Sequence, residues 1–142
     1  MATTRKATAH WKGALIDGSG TVDLESSGVG SYDVSWPSRA EQANGKTSPE
    51  ELLAAAHSTC FSMALSHGLA GAGTPPQTVD TSAEVTFQPG EGITGIVLSV
   101  KAQVPGISAA DFQAAAEKAK ENCPVSKALA GTTISLNAEL VG

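Results

Sequence analysis

Between residues 78 and 104 apolar and polar side chains alternate almost without interruption. Val79, Thr81, Ala83, Val85 and Phe87 fall on one side, with Asp80, Ser82, Glu84 and Thr86 on the other. Ile96, Leu98, Val100, Ala102 and Val104 then alternate with Val97, Ser99, Lys101 and Gln103. A period of two with one polar face predicts strands over 78–87 and 96–104, in a sheet covered on one side. Residues 89–95 hold Pro89-Gly90 and three glycines and predict the hairpin loop between them. The same alternation over 133–141, through Ile134, Leu136, Ala138 and Leu140, predicts a last strand. Shorter β-type segments over 5–11, 20–25 and 29–36 precede all of these, parted at Ser26-Ser27-Gly28 and stopped by Pro37.

The helical signals are of a different kind. Ser48 is a good N-cap, Pro49 suits the first helical position, and Glu51 stands three residues after the cap, as a capping box requires. Leu52-Leu53-Ala54-Ala55-Ala56 are strong helix formers, and apolar residues continue around the cylinder through Phe61, Met63, Ala64 and Leu65. A helix over 48–67 that is apolar on every side is expected to be buried. Gly68, Gly71, Gly73 and Pro75-Pro76 are expected to end it. Ser108 and Asp111 open a second helix over 109–122. It is interrupted at Asn122-Cys123-Pro124, because the residue before a proline is pushed out of the helical region. A further turn is expected over 124–131. The sum is an α+β fold: antiparallel sheet packed on a very apolar central helix. One chain has too little material to cover that helix, which predicts a dimer.

Composition narrows the function. A chain of 142 residues with 41% hydrophobic content suits one domain, spanning 1–142. The formal net charge is −5 and the nine basic residues form no run, which argues against a nucleic-acid surface. No stretch reaches the ~20 apolar residues of a membrane span. No apolar run follows the N-terminal Met1-Ala2-Thr3-Thr4-Arg5-Lys6, so no signal peptide is expected and the expected compartment is the cytoplasm. Structural disulfides are rare there. Two cysteines in such a chain are either inert core residues or redox chemistry, and two alone do not complete a zinc site.

Cys60 lies in mid-helix, where a buried thiol most often serves as a small hydrophobe. Cys123 is harder to dismiss, since Pro124 fixes it at a helix break. One cysteine on a rigid helix and a second on a bend is an arrangement that suits a disulfide cycle. Cys60 is too far along its helix to use the N-terminal dipole, so a lowered thiol pKa needs a cation from elsewhere. Arg39, just upstream of the helix, is the candidate, against the commoner role of a solvated loop residue. Glu50 either holds such a cation or simply favours the helix N-terminus. Glu50 and Cys60 lie roughly 15 Å apart along the axis and point about 80° apart. A site that uses both therefore calls for two antiparallel copies of the helix, one from each chain. His57, three residues before Cys60, opens a Cys-His acyl-transfer reading, but a hydrogen-bonded interior histidine is the expected role.

The segment Thr47-Ser48-Pro49-Glu50-Glu51-Leu52-Leu53, running into Ala55-Ala56-His57-Ser58-Thr59-Cys60-Phe61-Ser62-Met63-Ala64-Leu65, resembles the central helix of the OsmC/Ohr family. Ala119-Lys120-Glu121-Asn122-Cys123-Pro124-Val125-Ser126-Lys127 resembles its second cysteine segment. His57 and the Ser62-Met63-Ala64-Leu65 run are more similar to the OsmC branch, the osmotically inducible proteins, than to the organic hydroperoxide resistance branch. The resemblance implies an intertwined homodimer with two sites at its interface. It also implies a thiol peroxidase, active in oxidative or osmotic stress, that acts on organic hydroperoxides and less well on hydrogen peroxide. On that basis Cys60 corresponds to the peroxidatic cysteine and Cys123 to the resolving one. Arg39 corresponds to the arginine beside the thiolate, being the one arginine between Arg5 and the helix, and Glu50 to the carboxylate that holds it. The implied reductant is an external dithiol, a lipoylated protein or a small molecule, and no metal or haem is implied. A non-catalytic redox-sensing or ligand-binding protein on the same fold is the alternative from another class.

Overall fold

The computed structural model describes residues 1–142, which form two compact units, Met1–Leu52 and Leu53–Gly142. The first holds a three-stranded antiparallel sheet in the order β1 (Thr8–Lys12), β2 (Ser19–Asp23), β3 (Ser31–Val34). Gly20 stands opposite Trp11 in this ladder, and a Cβ there would meet the Trp11 ring at 2.6 Å. The bare backbone is what lets the indole lie across the strand.

After β3 comes a short helix, α1 (Trp36–Ala40), where a strand was expected to run on to residue 36. Two serines make the difference. Ser35 is extended and its hydroxyl accepts from the Ser38 N–H at 3.1 Å, while the Ser38 hydroxyl accepts from the Ser35 N–H at 3.0 Å. This is a capping box with serine in place of the usual Glu or Gln. It turns the chain into a helix that carries Arg39 in its last turn.

The long helix α2 (Pro49–Gly71) starts in the first unit and makes up the opening of the second. Ser48 caps it by accepting from the Glu51 N–H at 3.1 Å. The Glu51 carboxylate turns to the Thr47 hydroxyl at 2.6 Å rather than back to the cap, so the box is only half made. Gly68 does not end the helix. A helical glycine costs about 1 kcal/mol against alanine, and the next residue, Leu69, is buried and holds the last turn in place. The helix is not buried all round in the single chain. His57, Phe61, Leu65 and Leu69, spaced by four, are covered, whereas Ala56, Thr59, Met63 and His67 are exposed, Met63 to 68%.

In the second unit β4 (Thr78–Gln88) and β5 (Gly92–Gln103) form a long antiparallel hairpin, with β5 beginning inside the segment expected as loop. Helices α3 (Ala109–Asn122) and α4 (Pro124–Ala128) lead to β6 (Ile134–Leu140). This last strand pairs parallel with β5, Ile134 opposite Ile96 and Leu136 opposite Leu98, so the expectation of a purely antiparallel sheet is corrected to a mixed one. The crossover through two helices carries the chain back to the end of the sheet where β5 begins, and β6 then runs parallel to β5 on the edge away from β4. The core of the unit joins Phe61, Leu65 and Leu69 of α2 to Leu98, Val100 and Ala102 of β5, to Phe112, Ala116 and Ala119 of α3, and to Cys123. No helix is long and apolar enough to cross a membrane.

Candidate active site

Cys60 and Cys123 are both free thiols, and in the second unit Cys60 packs against the core cluster that contains Cys123. Cys60, on α2, is half-buried; Cys123 has no exposed surface. Cys123 ends α3 and begins α4, with extended backbone at φ −54° and ψ 125°. Pro124 forces that geometry by excluding the helical region for the residue before it. The bend turns the thiol inward against α2.

The two thiols affect each other's ionisation. Burial pushes the Cys60 thiol up, and the adjacent Cys123 sulfur adds to that rise. Burial alone would also raise Cys123, but hydrogen bonding from Cys60, from the Ser126 N–H and hydroxyl, and from the Val125 N–H outweighs it, and the Cys123 thiol lies below its ordinary value. The Cys123 side chain makes no capping hydrogen bond to α4. Within the pair the proton therefore rests on Cys60. A thiolate on Cys60 needs a cation to offset that bias.

Arg39 and Glu50 pair within the first unit. The Arg39 Nε donates to Glu50 Oε1 at 3.0 Å and Oε2 at 3.1 Å, and Nη2 donates to Oε2 at 2.9 Å. Glu50 is 6% exposed and the Arg39 side chain 32%. Such a fork fixes the guanidinium plane, which an exposed one-point ion pair does not. Arg39 is thus no loosely solvated loop residue. It also lines an apolar cavity of about 270 Å³ with Trp11, Leu15, Val22, Trp36 and Leu52.

His57 is fully buried, and its Nε2 lies 2.8 Å from the Ser126 hydroxyl. Its Nδ1 has no partner, and burial lowers its pKa, so the imidazole is neutral. This is the interior histidine that was expected. Neither ring nitrogen is bonded to Cys60, which removes the geometric basis for a Cys-His acyl-transfer pair.

Residues 42–138 match the family described as OsmC-like protein. The chain is 43% identical to the peroxiredoxin OsmC of Escherichia coli (strain K12) over 132 residues, covering 91% of this chain and 92% of that protein. The chain belongs to the OsmC-like family. It is also 36% identical to the organic hydroperoxide resistance protein OhrA of Bacillus subtilis (strain 168), over 76% of this chain and 79% of that one. In fold it is similar to an OsmC-like protein from Mycoplasma pneumoniae, with a TM-score of 0.75 at 16% identity and full coverage of both chains.

The OsmC-like match includes Glu50, Cys60 and Cys123 but begins after Arg39, whose place rests on its fork with Glu50. Of the four residues singled out in the sequence, the two units each gather a pair: Arg39 with Glu50, and Cys60 with Cys123. Ser126 was missed. No pattern in the sequence singles it out, and only the fold brings it to His57.

Proposed function

We propose that the chain is a cysteine-based peroxidase that reduces organic hydroperoxides to alcohols, with Cys60 as the attacking thiol and Cys123 as the resolving one. The observation that carries this reading is the unequal exposure of two linked thiols. Cys60 is half-buried and within reach of a small molecule, whereas Cys123 is fully buried against it. The names of the two relatives, a peroxiredoxin and an organic hydroperoxide resistance protein, support it.

Arg39, held by Glu50, favours the Cys60 thiolate and opposes the bias toward Cys123. The thiolate attacks the distal peroxide oxygen, the O–O bond breaks, and the alkoxide takes up a proton and leaves as alcohol. Cys60 is left as a sulfenic acid. Cys123 condenses with it, an S–S bond replaces the S–O bond, and water leaves. An external dithiol, free or as a lipoyl group on a protein, reduces the disulfide by exchange and becomes a disulfide itself. The apolar cavity beside Arg39 favours an alkyl-bearing peroxide over hydrogen peroxide.

The Arg39–Glu50 fork of one chain serves Cys60 of a second copy in this proposal, so the working species is a homodimer. The exposure of Met63 on α2 and the spacing of Glu50 and Cys60 along that helix both support it. Steady-state consumption of cumene or tert-butyl hydroperoxide with dithiothreitol is the test. Turnover that vanishes in Cys60→Ser is expected. A rate no higher than the uncatalysed one in the native chain would leave a redox-sensing or ligand-binding role instead.

A further inference from the structure

The peroxidase cycle leaves one buried group unused. His57 is wholly shielded from water, on the same helix as Cys60, and its single hydrogen bond crosses to α4. There it meets Ser126, itself only 5% exposed, three residues beyond Cys123. Ser126 stands one helical turn after Cys123, on the same side of α4, and its hydroxyl is among the groups that lower the Cys123 thiol. One bond thus ties the imidazole on the Cys60 helix to a hydroxyl one turn from Cys123.

The direction of this line follows from its far end. Nδ1 is buried with no partner, so a proton placed there would be an orphan donor. Placed on Nε2, it donates to the Ser126 oxygen at 2.8 Å. A serine hydroxyl that accepts from Nε2–H keeps its own O–H free to donate, and the thiol one turn back on α4 is Cys123. Each donor in such a chain polarises the next.

We infer that His57 and Ser126 are positioning residues for the resolving step: the neutral Nε2–H of His57 orients the Ser126 hydroxyl, which stabilises the Cys123 thiolate as it attacks the Cys60 sulfenic acid. This rests on the peroxidase reading for the source of the sulfenic acid. In the step itself the Cys123–Cys60 S–S bond forms and the Cys60 S–O bond breaks. The Cys123 sulfur is oxidised, the Cys60 sulfur is reduced, and the departing hydroxide takes the proton released by Cys123 to give water. The lowered Cys123 thiol agrees with this assignment. The same bond also joins α2, which carries Cys60, to α4, which Cys123 precedes.

Rapid-quench assays on the full-length chain separate the two steps, with dimedone trapping sulfenic acid and non-reducing peptide maps counting disulfide. In Ser126→Ala, disulfide closure slows about 10- to 100-fold relative to Cys60 oxidation, the change that follows from losing one hydrogen bond to a charged group, and in His57→Leu, which loses a bond between neutral groups, it slows about 2- to 10-fold. Sulfinic Cys60 then accumulates with excess peroxide. Ser126→Thr and His57→Gln restore closure, the second because a glutamine amide donates as Nε2–H does but does not titrate. A Ser126→Ala chain that closes its disulfide at the native rate overturns the inference, as does a folded His57→Gln chain that closes no faster than His57→Leu. The azo oxidant diamide closes dithiols without a peroxidase step, so it keeps the two readings apart. Closure by diamide that depends on Ser126, in a chain inert to peroxide, sinks the peroxidase reading and leaves standing only the support that Ser126 gives the Cys123 thiolate.

Discussion

Arg39 and Glu50 meet through three contacts of 2.9–3.1 Å, with the carboxylate almost fully buried. A lysine keeps the charge but not the fork. Arg39→Lys is therefore expected to lower the second-order rate of Cys60 with an organic hydroperoxide by about 10- to 100-fold, on the scale of a charged hydrogen bond. Stopped-flow measurement of sulfenic acid formation checks it, and a native rate in this variant contradicts the role. His57 makes a separate prediction through stability. Burial lowers its folded pKa, so below the ordinary value of 6.5 the unfolded chain binds a proton that the folded chain refuses. Its contribution is complete above about pH 6.5 and is lost as the pH falls toward the folded value, at up to ~1.4 kcal/mol per pH unit. Urea unfolding at pH 7.5 and pH 5.5 should thus show a larger acid loss in the native chain than in His57→Gln. At this scale the pairing of Arg39 with Glu50 was legible from residue type and resemblance. Ser126 was not, because a lone serine carries no pattern until the fold brings it to His57.

Along the elements, the buried row of α2 is the main support of the second unit. Phe61 has no exposed surface and belongs to the core shared with β5 and α3. Phe61→Ala should destabilise the chain by about 3–5 kcal/mol, measured by denaturant unfolding, while Met63→Ala on the exposed side should cost under about 1 kcal/mol in the isolated chain. Strands β4, β5 and β6 were legible because their alternation is the direct imprint of a half-covered sheet; the odd-numbered residues of β4 are half-buried and the even-numbered exposed. Alternation says nothing about strand direction, so the parallel pairing of β6 could not be read from it. Helix α1 was hidden for another reason. Tyr32-Asp33-Val34-Ser35-Trp36 has the composition of a strand, and only the reciprocal Ser35–Ser38 bonds turn it.

At the scale of the whole molecule the proposed site draws on two copies of the chain. Mixing inactive chains tests this directly. Cys60→Ser retains Arg39, and Arg39→Ala retains Cys60, so a mixed dimer regains one complete site if the fork of one chain serves the thiol of the other. Peroxide turnover is expected to reappear after the two variants are unfolded together and refolded; none returns if each site is built within one chain. The apolar excess of α2 was the sequence feature that called for a partner, and the exposure of Met63 in the single chain keeps that need in view.

The central claim is that a peroxide leaves its mark on Cys60 and that Cys123 removes it. Mass spectrometry of the reduced native chain after one equivalent of cumene hydroperoxide tests this most directly. The account predicts one equivalent of alcohol and a chain two hydrogens lighter, with peptide mapping that joins Cys60 to Cys123. Unchanged thiols, or sulfinic Cys60 beside a free Cys123, would contradict it.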